Sequence, residues 1–286
     1  MTQLKYFLMA MGMTLVMLFV PASNSDGSQM GKLYVVGMGP AGPDLTAPRA
    51  LGVVEKADVI LCSPRMPQRF ERFGVHIDPK KVAFNPWEGV IGKEASKLKK
   101  TNYEAWMSEA EKQLKKVQAF IMEKLREGKT VAMMDGGDPC IYGPSLNYLL
   151  AGFDEALFEV IPGMGAFNAA SAALKRSLTP EDVRFVVLAS PESLFGESWE
   201  KGDEVLKALS QYDTTMVLYM SLSSISKVVE TFKKYYSPDL PIAVVYYAGY
   251  SDKEKVLKSK LKLIEEDIKK MEEKWLGLVI VGKCAE

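Results

Sequence analysis

Leu33-Tyr34-Val35-Val36-Gly37-Met38-Gly39-Pro40-Ala41-Gly42 is the stretch that decides the reading of this chain. Its first residues are apolar with little polar alternation, as in a strand buried on both faces. The glycines that follow read as a tight turn from strand into helix. Runs of the same kind recur at 57–62, 130–134, 158–161, 184–189, 214–220, 242–248 and 276–282. Helix patterns lie between them. In 102–127, Trp106, Ala110, Leu114, Val117, Ile121 and Leu125 recur at spacings of three and four, one apolar stripe. Gly128 ends that helix. A second helix follows Ser145, and a third spans 166–175. The charged stretch 252–274 reads as helical, with Val256, Leu257, Leu261, Ile264, Ile268 and Met271 on its buried side. The segment 86–104 reads as an insertion or lid with a solvated face. Strand–helix alternation of this length implies α/β architecture in two modest domains.

Composition narrows the function classes. The 286 residues are 48% hydrophobic and 25% charged, which excludes a disordered or fibrous chain. Lys+Arg and Asp+Glu are both 36, so the basic excess of a dedicated nucleic-acid binder is missing. The single histidine, His76, excludes a multi-histidine metal site within one chain and reads as a surface residue. Cys62, Cys140 and Cys284 have no CxxC spacing, so no metal site is expected; Cys62 and Cys140, both near strand ends, are a conceivable pair. Residues 1–30 read as a targeting segment. Lys5 precedes the uncharged apolar run 6–20, Val20-Pro21-Ala22 offers a cleavage site, and a polar stretch follows. That layout predicts export, or tethering to a membrane through this segment alone, with a cytoplasmic location as the alternative.

Two glycine segments carry the chemical expectation. Residues 37–42 fit GxGxxG, the dinucleotide fingerprint. The next strand ends in Cys62-Ser63-Pro64-Arg65, with no acidic residue for a ribose hydroxyl, and Pro40 stiffens the loop. A dehydrogenase is therefore a distant alternative. The second segment is Gly136-Gly137-Asp138-Pro139, after the run 130–134. It reads either as a helix start, with Asp138 as N-cap and Pro139 at the first helical position, or as a loop whose glycines let a ligand approach the backbone.

The order LYVVGMGPAGPDLTAPRAL, ADVILC, VAMMDGGDPCIYGP, EVIPGMGA, TMVLYMSL, PIAVVYYAG and GLVIVG resembles the tetrapyrrole methylase family, which uses S-adenosylmethionine. The resemblance runs from 33 to 282 and is most specific in the first glycine loop and the GDPCIYG segment. It implies two α/β domains with the cofactor folded into the cleft between them. The expected division is 1–30 targeting segment, 31–163 N-terminal domain and 164–286 C-terminal domain. It implies S-adenosylmethionine contacts at Pro40, Gly136, Gly137, Asp138, Ile141, Gly165, Ala166, Met220 and Ala248, and a homodimer. The chain departs from the family pattern at Met164-Gly165-Ala166 and at Lys175-Arg176-Ser177, where a glycine-containing turn is common.

Methyl transfer from a sulfonium needs alignment and exclusion of water more than acid–base side chains, so no catalytic residue is assigned. A tetrapyrrole precursor carries many carboxylates, which arginine grips through two parallel hydrogen bonds. Arg65 is the expected substrate contact among Arg49, Arg65, Arg69 and Arg72, with Tyr142 as a residue that orients the substrate. The leading expectation is thus methyl transfer to a tetrapyrrole or corrin precursor. The alternative, favoured by the targeting segment, is an exported protein that binds a tetrapyrrole or nucleoside without catalysis.

Overall fold

The computed structural model describes residues 29–195, 201–273 and 276–286. The targeting reading of 1–30 lies almost wholly outside them. Among the described residues no helix is long and apolar enough to cross a membrane. The chain divides into two compact units, the first closing at Gly165 and the second running Ala166–Glu286.

The first unit holds a five-stranded parallel sheet in the order β3-β2-β4-β1-β5. Its strands are β1 (Leu33–Gly37), β2 (Val59–Leu61), β3 (Val82–Phe84), β4 (Val131–Asp135) and β5 (Phe158–Ile161). Helices α1 (Pro48–Lys56), α2 (Arg65–Glu71), α3 (Lys93–Thr101) and α4 (Tyr103–Arg126) accompany it. Leu33, Val35, Val131 and Met133 pack with Leu114, Val117, Ile121 and Leu125 of α4. Val36, Ile60, Ala132 and Met134 pack with Ala50 and Val54 of α1 and Phe70 of α2. Burial on both faces is why these strands lack alternation.

Helix α4 follows the expected stripe. Asn102 Oδ1 accepts from the Ala105 amide at 3.0 Å, capping its first turn. Lys124 and Arg126 lie in its last turn, where the helix dipole favours cations, and Gly128 follows at φ +73°. The expected lid over 86–104 is part of the packed unit. Trp87 is buried in the α4 core, and Trp106 Nε1 donates to the Val90 carbonyl at 3.3 Å. His76 is exposed and meets Glu71 at 2.9 Å. Cys62, Cys140 and Cys284 are all free thiols, so the conceivable Cys62–Cys140 pair is not formed.

The second unit holds a mixed sheet in the order β6-β7-β10-β8-β9. Its strands are β6 (Phe185–Ala189), β7 (Thr214–Leu218), β8 (Pro241–Tyr246), β9 (Lys255–Lys260) and β10 (Gly277–Val281). Only β6 and β7 pair in parallel. Its helices are α5 (Ala166–Leu174), α6 (Pro191–Phe195), α7 (Gly202–Leu209), α8 (Ile225–Phe232) and α9 (Ile264–Lys270). The helix expected over 252–274 is instead β9 followed by α9. Lys255–Lys260 pairs along β8 as an edge strand, and its lysines blunt the open edge. Ile264 and Ile268 keep their places in the core, on the short α9.

Ile121 is fully buried between α4 and the sheet. Ile121→Ala is expected to cost about 2–5 kcal/mol, read as a lower urea midpoint with the slope unchanged.

Candidate functional site

Strands β1 and β4 are neighbours, and both end in glycine turns. The Met38 amide donates to the Asp135 carbonyl at 2.9 Å, prolonging the pairing by one bond. The chains then close on each other. Gly39 N donates to Gly137 O at 3.1 Å and Gly137 N to Gly39 O at 2.7 Å, an isolated antiparallel bridge. Both residues have positive φ, +72° and +77°, the region where a side chain is strained. A third turn packs against the same point. A Cβ on Gly163 would lie 2.2 Å from the Gly137 carbonyl oxygen and 2.8 Å from the carbonyl carbon of Gly37. The first loop is closed from below by buried Thr46, whose hydroxyl donates to the Met38 carbonyl at 2.6 Å.

The second loop corrects one expectation. No helix begins at Pro139, and Asp138 does not cap one. Asp138 Oδ1 accepts from the Cys140 amide at 2.9 Å, and Ile141 N donates to the Asp138 carbonyl at 3.1 Å, so 138–141 is a side-chain-braced turn. The helical run is broken by Tyr142 at φ +58°, and the next helical turn is Ser145–Leu149. Gly136 is exposed, has no positive φ, and a Cβ there would meet nothing within 4 Å. Neither backbone nor packing calls for glycine at 136, and without a side chain its main chain is open to approach.

The first unit therefore brings together Pro40, Gly136, Gly137, Asp138 and Ile141 around the Gly39–Gly137 bridge. Gly165 is buried at the end of this unit, and Ala166 is the first residue of α5. Tyr142 holds an exposed ring beside the loop. Arg65 is exposed at the first residue of α2, just past β2, with no carboxylate partner among the described residues. Arg49 is engaged by Glu159, and Arg69 lies on Met66 and the Phe70 ring.

In the second unit, β7 and β8 both run antiparallel to β10, so their C-terminal ends share one edge of the sheet. Met220 and Ala248 follow those ends. Met220 is 63% exposed at φ +56°, whereas Ala248 is buried beside α5. Tyr247, one residue before Ala248, has φ +49°, and its hydroxyl donates to Glu273 at 2.7 Å. Bulky residues in this region cost about 1–3 kcal/mol each, and such strain gathers at ligand sites. Lys175 also has φ +55°.

Three residues of the site were not anticipated: Thr46, Asp135 and Ser145. Asp135 ends β4 and is the one charged side chain among the buried described residues. Ser145 Oγ donates to its Oδ1 at 2.7 Å, while Oδ2 is buried without a partner. Burial pushes its pKa up to about 6, with Ser145 pulling the other way. The sequence signal was there: a carboxylate closing the otherwise apolar run Val131-Ala132-Met133-Met134.

Two outcomes follow for the folded chain. Gly163→Ala is expected to cost about 1–3 kcal/mol through overpacking, read as a lower thermal midpoint. Asp135 binds its proton more tightly when folded than its ordinary value of 3.8 allows, so its contribution to stability falls as pH rises from about 4 to about 6. Asp135→Asn removes that loss. The difference in thermal midpoint between Asp135→Asn and the unaltered protein should move in the variant's favour across that window, and a constant difference would contradict it.

Comparison with known proteins places this arrangement. The tetrapyrrole (corrin/porphyrin) methylases match residues 32–265. The chain is 31% identical to a cobalt-precorrin-4 C(11)-methyltransferase of Methanocaldococcus jannaschii, over 88% of this chain and 87% of the relative. It is 26% identical to a uroporphyrinogen-III C-methyltransferase of Bacillus subtilis, over 88% and 90%. Among solved structures, a cobalt precorrin-4 methyltransferase of cobalamin biosynthesis superposes with a TM-score of 0.69 at 24% identity, covering 89% of this chain and 96% of that one. A uroporphyrin-III C-methyltransferase of Thermus thermophilus, solved with S-adenosyl homocysteine, has a TM-score of 0.59 at 20% identity, covering 90% and 94%. On this match, and with the fold it shares, the chain belongs to the tetrapyrrole (corrin/porphyrin) methylase family.

Proposed function

We propose that the protein transfers a methyl group from S-adenosylmethionine to a tetrapyrrole or corrin precursor. The observation that carries this reading is the Gly39–Gly137 bridge, which fixes two glycine loops as one rigid main-chain surface at the ends of β1 and β4. Ligands of open α/β sheets lie at the carboxyl ends of strands. The open approach to Gly136 fits a ligand held by main-chain groups.

Within the first unit, the main chain of Gly136, Gly137 and Ile141 would hold the nucleoside, with Pro40 keeping the facing loop stiff. Asp138 braces the turn through the Cys140 amide and so orients the amides on either side. By family resemblance, Gly165, Ala166, Met220 and Ala248 complete the cofactor set. When bound, S-adenosylmethionine supplies a methyl on a positively charged sulfur, already a good electrophile. The chain's own task is alignment and exclusion of water, with no general base assigned. Arg65, exposed and without a carboxylate partner among the described residues, would grip a substrate carboxylate, and the Tyr142 ring would lie against the macrocycle. The similarity to cobalt-precorrin-4 methyltransferases supports a corrin-ring precursor as acceptor.

The apolar run 6–20 behind Lys5 favours a second reading, an exported or membrane-tethered tetrapyrrole-binding protein without catalysis. Sequencing the mature N-terminus and fractionating cells test its location.

The direct test supplies S-adenosylmethionine labelled in its methyl group together with cobalt-precorrin-4 or uroporphyrinogen III. Label in the tetrapyrrole is the expected result, with the corrin precursor preferred. Tetrapyrrole binding without transfer, and no heat on titration with S-adenosylmethionine, would establish the second reading instead. In the active enzyme, Arg65→Ala should raise KM for the tetrapyrrole about tenfold, the worth of a hydrogen bond to a charged group, with kcat little changed.

A further inference from the structure

Asp135 is a buried carboxylate with no cation beside it among the described residues. On β4 it shares the face of Val131 and Met133, the face covered by α4. Its register partner Gly37 lies next to it on β1. A Cβ on Gly37 would be 2.7 Å from Pro139 Cδ and 2.4 Å from Gly163 N, so the second and third glycine turns roof this face. The segment 136–144 leaves the sheet at Asp135 and returns to it at Ser145, whose hydroxyl satisfies Oδ1 and leaves Oδ2 without a partner. A buried carboxylate lacking both a counter-ion and a full set of donors is costly, and a charge supplied from outside relieves that cost.

The groups around it do not supply one. β1 contributes Gly37, and β2 ends in Leu61; Met38 and Cys62, the next residues along, lie in the core of the opposite face, where burial holds the Cys62 thiol neutral with a pKa of about 11. The turn Ser145–Leu149 contributes Ser145 and carries Tyr148, which is exposed, while α4 packs on the same face of the sheet through Leu114, Val117 and Ile121. On its own loop lie Asp138, Cys140 and Tyr142, none of them a cation. Burial is the main cause of its raised pKa, and only Ser145 acts against it.

We propose that Asp135 is the counter-charge for a cationic cofactor, so that the site prefers S-adenosylmethionine, with its positive sulfur, to S-adenosylhomocysteine, whose sulfur is neutral. This rests on the reading of the glycine loops as an S-adenosylmethionine site. The loop over Asp135 is the one that would hold the ligand. Losing the methyl removes the positive charge that the carboxylate answers, and the product is released more readily than the cofactor. Asp135 is a specificity residue in this account, acting through charge beneath the loop.

Calorimetry with both ligands tests it. At pH 7.5, Asp135→Asn should weaken S-adenosylmethionine about tenfold and S-adenosylhomocysteine less than about threefold, tenfold being about 1.4 kcal/mol. In the unaltered protein, S-adenosylmethionine should weaken as pH falls through about 6, where the carboxylate takes up its proton, with S-adenosylhomocysteine unchanged. Ser145→Ala keeps the charge but removes a bond that favours the ionised form, so the midpoint of that pH dependence should rise. It serves as the deciding variant if Asp135→Asn does not fold. Equal weakening of both ligands, no weakening, or a flat pH profile for S-adenosylmethionine overturns the inference while leaving the cofactor reading intact. Binding of neither ligand by the unaltered protein removes the cofactor reading, and this inference with it.

Discussion

Two hydrogen bonds between Gly39 and Gly137 join the turns that follow β1 and β4. They exist because two parallel strands finish side by side and both chains turn through positive φ at the same height. A Cβ on Gly39 would lie 2.5 Å from the Leu45 carbonyl oxygen, and Gly137 is held at a φ of +77° that strains any side chain. Gly163 packs its own main chain against Gly37 and Gly137 with no room for a Cβ, so three turns separated widely in sequence become one surface. The result is a surface made of peptide groups that continues the pairing of the sheet beneath it, and it is this surface that the proposed cofactor site uses.

The rest of the first unit supports that surface. Cores on both faces of the sheet keep β1 and β4 in register, with α4 on one side and α1 and α2 on the other. Thr46 and Ser145 then tie each loop back to its own strand through one hydroxyl apiece. Asp135 is the exception to an otherwise apolar design, a charge placed where burial makes it unfavourable. Functional sites are where such local costs are tolerated, because binding recovers them. The bulky residues held at positive φ next to the expected contacts, Tyr142, Met220 itself and Tyr247, follow the same logic.

Much of this was legible in the sequence, for physical reasons. The doubly buried strands announced themselves as unbroken apolar runs, and α4 by its stripe and its terminal glycine. The glycine loops were legible because glycine is needed where chains touch. What escaped the reading depended on pairing. Lys255–Lys260 has a spacing that a helix could bury, and only the free edge of β8 makes it a strand. β3, a half-exposed edge strand flanked by Lys80-Lys81 and Asn85, lacks the long apolar run that marks β2. Asp138 and Pro139 suit a helix start, yet Tyr142 and Gly143 turn the chain before a helix can form. Asp135 was visible as a residue but not as a buried one, since its cover comes from the turns at Pro139 and Gly163 and its hydrogen bond from Ser145.

Amide hydrogen exchange of the unaltered protein, with and without S-adenosylhomocysteine, tests the central claim most directly. If the joined glycine turns are the nucleoside platform, protection should rise over Gly136–Tyr142 and over the loop that follows β1. Protection appearing only elsewhere in the chain, with these two loops exchanging as before, would contradict it.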